Sequence, residues 1–242
     1  DNGIVIADEV PAARHDWYRE LARRVCDGLA TCGYPYCPGN VMATTDTWRV
    51  PLSTWRETVV GWLRTPTPDA VLRVSIFFDL RVVYGDDSLG RALQQTMLER
   101  APANTIFLAA LAQSALASRP PLGLFRRFVV ERGGEHRHGV DLKKRGALLI
   151  TDIARLHALA AGVPAVNTRE RLRALVDAGR LALVDSRNLA DALHCVQQVR
   201  LQHQCEQLAA GQATDNVIEP RGLPHLAREQ LRDAFTVIDE AQ

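Results

Sequence analysis

The stretch VLRVSIFFDLRVVYGDD, residues 71–87, decides how the front of this chain is read. It is rich in β-branched and aromatic residues, which suit a pleated, half-buried surface, so it predicts a strand over 71–84. Asp79 stands in the middle of that apolar run. A charge there is costly without a partner, which makes Asp79 the best single pointer to a site. The plainer reading puts Asp79 on the solvated face of the strand, and the stretch alone accommodates both. Beyond it, Gly85-Asp86-Asp87-Ser88 turns the chain into a helix that Asp87 or Ser88 can cap, with Leu89, Leu93 and Met97 as its buried face.

Working back from this stretch, Thr65-Pro66-Thr67-Pro68 breaks a helix that opens near Pro51. Trp48, Trp55 and Trp62 recur at a spacing of seven and, with Leu52 and Val59, form an apolar stripe that reads as core. Residues 33–40, GYPYCPGN, are a dense cluster of turn formers and predict a shaped loop. A helix is expected over 11–32, with Trp17, Leu21, Val25, Leu29 and Cys32 as its buried face. Ile4-Val5-Ile6 reads as a strand already under way behind Asp1-Asn2-Gly3, which predicts that the chain is part of a longer protein.

Forward of the stretch, 103–118 predicts a helix, 124–131 a strand, and Gly133-Gly134 a hairpin returning through Val140. From Ala147 onward the apolar period stays near 3.6, giving helices over 148–161, 168–178, 185–211 and 223–241. The fold class expected is α+β, with a mixed front part over 1–100 and a mainly helical part over 101–242.

Lys and Arg number 29 against 28 Asp and Glu, so no net field marks a nucleic-acid or membrane binder. No run reaches the ~18 apolar residues a membrane helix needs. A cytoplasmic protein with reduced thiols follows from this and from five cysteines without a secretory signal. Cys26, Cys32 and Cys37 are spaced by six and five residues, which fits no compact zinc pattern. Cys26 and Cys32 read as core thiols, and Cys37 alone as facing a site. His136 and His138 fall at the expected hairpin tip.

The chemistry starts from two carboxylates. Asp1 sits at the mouth of the first strand and Asp79 in the later one. If those strands are neighbours, both carboxylates converge on one sheet edge, as in oxygen-ligand sites for Mg²⁺ that serve phosphoryl or nucleotidyl transfer. Further along, Lys143 and Lys144 suit a triphosphate as point charges, and Arg155 can grip phosphate with its planar fork. A solvated helix start with a structural ion pair explains the same residues equally well. Thr168, Arg169 and Arg171 read as an N-cap and surface arginines, and Arg200 with His203 as a buried pair.

Asp1-Asn2, CGYPYCPGNVMA (32–43), TWRVPLSTWRETVVGWL (47–63), IFFDLRVVYGDDSL (76–89), PPLGLFRRFV (120–129), VDLKKRG (140–146), ARLHAL (154–159), TRERL (168–172) and VRLQHQ (199–204) together resemble one family. It is the bacterial signal-transduction nucleotidyltransferases, which usually carry cyclic-nucleotide-binding and CBS domains upstream and are similar to the PII-protein uridylyltransferases. The resemblance implies a polymerase-β-type domain using Mg²⁺ and an NTP, with a protein or small molecule as acceptor. The family's metal-binding pair reads T-D-Q-D-N, so Asp1 corresponds to its second aspartate, Asn2 to the asparagine, and Asp79 to a third carboxylate from a later strand. Residues 141–146 are similar to the lysine-glycine stretch that opens the helical domain of the uridylyltransferases. The Gly-Ser motif and first aspartate of the pattern are not in this chain, which is expected to be inactive alone, with catalysis belonging to the intact parent. The alternative is a non-catalytic nucleotide-binding module that relays upstream signals. The long amphipathic helix over 185–211 would permit a homodimer.

Overall fold

An aromatic cluster organises the front of the chain. In the computed structural model, which describes residues 1–123, 128–130 and 138–242, Trp55 is buried to 1% exposure and Trp48 to 6%. Their rings stack at 5.8 Å, and Phe77 lies 5.0 Å from each. Burying aromatic side chains of this size contributes roughly 1.5–3 kcal/mol apiece. The chain divides into two compact units, residues 1–107 and 108–242.

In the first unit, strand β1 (Ile4–Ile6) pairs in parallel with β2 (Arg49–Pro51), Ile4 opposite Arg49 and Ile6 opposite Pro51. The crossover contains helix α1 (His15–Thr31), and β2 runs directly into α2 (Leu52–Arg64). Asp8 closes the start of α2: its Oδ1 accepts from the Ser53 amide at 2.9 Å and the Ser53 hydroxyl at 2.8 Å. Helix α4 (Asp87–Arg100) is capped by Asp86, whose Oδ1 accepts from the Ser88 amide, and it buries Leu93 and Met97.

The 71–84 strand is not formed. Residues Pro68–Phe77 are helix α3. Thr67 caps it by accepting from the Ala70 amide, and Pro68 occupies the first turn, where its missing N–H costs nothing. The buried positions Ala70, Val71, Val74 and Phe77 follow a helical period, and Phe77 completes the tryptophan cluster. Capping and packing against the indoles therefore override the strand preference of the β-branched residues. After the helix, Leu80 and Val82 cross α4 so closely at Gly90 that a Cβ there would lie 2.2 Å from Val82 Cγ2.

α1 also departs from its expected face. Ala22 and Cys26 are buried, whereas Trp17 is 61% and Val25 48% exposed, and Cys32 is exposed. The small residues let α1 lie close to the chain at Asn2, whose Oδ1 accepts from the Cys26 thiol. The larger apolar side chains lie outside that contact.

The second unit is helical. Helix α5 (Thr105–Leu116) leads toward it, and β3 (Val140–Asp141) pairs antiparallel with β4 (Val217–Ile218). A π-helical turn (Lys143–Ala147) passes into α6 (Leu148–Ala161), followed by α7 (Thr168–Asp177), α8 (Leu183–Ala209) and α9 (His225–Ala241). These match the four helices read from the period. Leu142, Ile150, Leu172, Val196 and Phe235 are core. The predicted 124–131 strand and Gly133-Gly134 turn lie largely outside the described residues, as does His136; Phe128 bridges Leu122, and Val140 pairs with Ile218. His138 is exposed at a left-handed φ of 74°.

Three side-chain expectations in this unit also change. Asn167, not Thr168, caps α7. Arg171 is fully buried, its Nε donating to the Ala165 carbonyl at 2.7 Å. His203 meets Asp215 at 3.0 Å rather than Arg200, because β4's approach brings Asp215 beside α8. Burial works against the ionised Asp215, but the Val217 amide, His203 and Gln207 outweigh it and hold its carboxyl below the usual range. Among the described residues no helix is long and apolar enough to cross a membrane.

Two outcomes test this packing. A Cβ at Gly146 would come within 2.8 Å of Val196 Cγ1 and 3.2 Å of Phe235 Cε1. Gly146→Ala is therefore expected to destabilise the protein by about 1–3 kcal/mol in denaturant unfolding, and an unchanged midpoint would contradict the packing of the π-helical turn against α8 and α9. Hydrogen bonds from the Ser53 backbone and hydroxyl hold the Asp8 carboxyl below its ordinary value. A lowered folded-state value means the stabilisation is present above the ordinary aspartate range of about 3.9 and is lost as pH falls through the folded value. Thermal unfolding of Asp8→Ala should thus differ from wild type near neutral pH and converge with it as the pH falls below the ordinary aspartate range; a difference independent of pH would contradict the cap.

Candidate functional site

Asp1 is held in place by the residue after it. The Asn2 amide donates to the Val41 carbonyl at 3.0 Å, and Asn2 Oδ1 accepts from the Ala43 amide at 2.8 Å and the Cys26 thiol at 3.5 Å. Gly3 follows in a close approach: a Cβ would lie 3.0 Å from the Trp48 carbonyl and 3.2 Å from the Trp55 ring, tight enough that one of them would have to give way. The indole N–H of Trp55 donates to the Ile4 carbonyl at 3.1 Å. The side chain of Asp1 is left exposed at the head of this anchored segment.

The facing segment is equally fixed. Arg49, 6% exposed, donates to the Ala43 carbonyl and pairs with Asp46. Asn40, at a left-handed φ of 55°, offers its carbonyl to the Thr45 hydroxyl and the Trp48 indole. The turn-rich 33–40 loop is therefore a shaped wall, as expected. Within it Cys37 is half-buried, its amide donating to Met42 Sδ. The Val41 amide hydrogen-bonds the Cys37 sulfur and lowers its pKa, outweighing partial burial.

Asp79 lies two residues beyond the last residue of α3, half-buried, with its amide donating to the Ile76 carbonyl at 3.2 Å. The carbonyl end of a helix carries partial negative charge, so an added carboxylate raises the local demand for a cation. Asp1 and Asp79 belong to the same unit. Among the described residues no group of three or more His, Cys, Asp or Glu side chains is arranged to hold a metal ion.

Lys143, Lys144 and Arg155 belong to the second unit. Lys143 and Lys144 are exposed on the π-helical turn, and Asp141 organises it: its Oδ1 accepts from the Lys144 amide at 2.9 Å, and its carboxylate lies 3.7 Å from Lys144 Nζ. Arg155 is buried to 7% exposure and paired with Asp152 one turn earlier on α6. Its guanidinium thus faces a carboxylate within its own helix, while Lys144, although exposed, shares its charge with Asp141.

Residues 105–242 match the family model described as putative nucleotidyltransferase substrate binding domain, and residues 1–69 match putative nucleotidyltransferase DUF294. The chain belongs to this nucleotidyltransferase family. Searches of curated proteins and of solved structures return no match. The 1–69 family segment contains Asp1 and Asn2 and ends before Asp79; the 105–242 segment contains Lys143, Lys144 and Arg155.

Sequence reasoning gave Asn2 its place in a motif but not its anchoring role, and passed over Arg49. Asn2 could be heard in the sequence, since an amide next to Gly is a turn former. Buried Arg49 leaves no such trace. Replacing Asn2 with Ala removes two side-chain hydrogen bonds, together worth about 1–3 kcal/mol. Amide exchange at Ala43 should accelerate at least about tenfold in Asn2→Ala. Unchanged exchange there would contradict Asn2 as the anchor.

Proposed function

We propose that this chain serves Mg²⁺-dependent nucleotidyl transfer from an NTP to a protein or small acceptor, with Asp1 and Asp79 as the metal-facing carboxylates. The family match across both units supports the reading, and the observation that carries it is Asp1 held exposed by the Asn2 anchor. Hard carboxylate oxygens suit Mg²⁺, which keeps several waters and takes the rest of its ligands from phosphates, so two protein carboxylates are a sufficient donor set. When bound, the ion would neutralise charge developing on the phosphates.

The chain's own contributions are positional and electrostatic. Asn2 anchors the backbone that carries Asp1, just ahead of strand β1, through Val41 and Ala43. Asp79 supplies a second carboxylate of the same unit. Lys143 and Lys144 offer exposed ammonium groups to the anionic part of a substrate of the second unit. Arg155, paired with Asp152 on α6, is the second unit's candidate for gripping phosphate with a planar fork.

A second reading, a non-catalytic nucleotide-binding module within a signalling protein, is favoured by the match of residues 105–242 to a substrate binding domain. Pyrophosphate release separates the two. With Mg²⁺ and NTP, full-length protein carrying Asp79→Asn should lose turnover by about 100-fold or more relative to wild type. Nucleotide binding without pyrophosphate release in wild type, or turnover indifferent to Asp79→Asn, would favour the binding module.

A further inference from the structure

We propose that the groove between α7 and α8 binds a small molecule carrying both phosphate and hydroxyl groups, such as a nucleotide or a sugar phosphate. This stands apart from the transfer chemistry above and does not use its residues. The groove has a volume of about 440 Å³, within the range of small-molecule sites, and is lined by three arginines, Arg169, Arg173 and Arg187.

Those arginines differ from the helix arginines of this protein that are held in ion pairs. Arg23, Arg24 and Arg232 each pair with a carboxylate three or four residues away on the same helix. Arg173 and Arg187 have aspartates at that same spacing, Asp177 and Asp191. Yet among the described residues neither arginine, nor Arg169, has a carboxylate oxygen within 4.0 Å. Three arginines without a carboxylate partner thus line one groove, and a planar guanidinium fork is the group that can grip two phosphate oxygens at once.

The backbone adds to the attraction. Helix α8 runs for 27 residues, and its N-cap, Ala182, has no side chain able to accept from the first amides. Leu183, the first residue of that helix, lines the groove. The positive end of the longest helix in the second unit therefore opens at the arginines.

The rest of the lining narrows the ligand. Asp177 and Asp191 also face the groove, so it carries two carboxylates against three arginines. A bare polyphosphate would meet repulsion from them, whereas sugar hydroxyls would donate to them. Val176, Ala190 and the half-exposed Leu183 supply an apolar strip for a ring, and the buried Ser186 forms part of the floor. Phosphate on the arginines, hydroxyls on the aspartates and a ring on the apolar strip is one molecule's worth of recognition.

Calorimetric titration of the full chain with ADP, ribose 5-phosphate and inorganic pyrophosphate tests this. EDTA is included so that metal-dependent binding does not contribute, which keeps the result independent of whether Asp1 and Asp79 act in transfer. ADP or ribose 5-phosphate should bind at least tenfold more tightly than pyrophosphate, and more weakly as salt is raised. ADP exceeding ribose 5-phosphate assigns a nucleotide, with the base on the apolar strip; equal affinities assign a sugar phosphate. The double variant Arg173→Gln/Arg187→Gln should lose at least tenfold in affinity, while Arg180→Gln, outside the groove, should not. All three arginine positions are exposed, so thermal unfolding should be unchanged and the comparison is not confounded by misfolding. Binding of none of the three probes, pyrophosphate bound as tightly as the others, or affinity unaffected by the double variant would overturn the proposal.

Discussion

The first unit depends on how tightly the backbone at Gly3 can approach the Trp48 carbonyl and the Trp55 indole. Trp48 and Trp55 stack on each other, Phe77 closes the cluster, and the chain at Gly3 passes so near that an added methyl would press on the Trp48 carbonyl and the Trp55 ring. This contact ties together the start of the chain, the β2–α2 corner and α3. From it follow the two-stranded parallel sheet, the placement of Asn2 against Val41 and Ala43, and the exposure of Asp1. Packed cores resist added volume, so the contact constrains sequence at both ends.

The helices of the second unit were the most legible feature of the sequence, because a long apolar period reports directly on one buried face. The α6 bounds agree with the period, and Gly162 ends that helix in a left-handed conformation at φ 68°. The aromatic stripe was legible for the same reason. The 71–84 segment was misread because composition outweighed punctuation: Thr67-Pro68-Asp69 is a helix start signal, and the buried set at 70, 71, 74 and 77 has helical spacing. In α1 the misreading ran the other way. Large apolar residues suggested the inner face, but close packing selected Ala22 and Cys26.

The site was legible as chemistry more than as geometry. Asp1, Asn2 and the lysines of the π-helical turn stand out as residue types in a familiar order, whereas their supports are long-range. Arg49 reaching Ala43, Trp55 reaching Ile4 and Asp215 reaching His203 join positions that no local pattern connects. Asp79 kept its interest while losing its strand. Its position past α3 replaces a sheet-edge argument with an electrostatic one, a carboxylate at the negative end of a helix.

Family membership makes nucleotidyl transfer the proposed chemistry, and the fate of the α-phosphate tests that proposal most directly. Full-length protein incubated with Mg²⁺ and NTP labelled at either the α- or the γ-phosphate distinguishes the bond that breaks. Nucleotidyl transfer predicts that α-label, and not γ-label, moves onto the acceptor. Label retained in NTP, γ-label on the acceptor, or γ-label released as inorganic phosphate with none of the α-label transferred would contradict it.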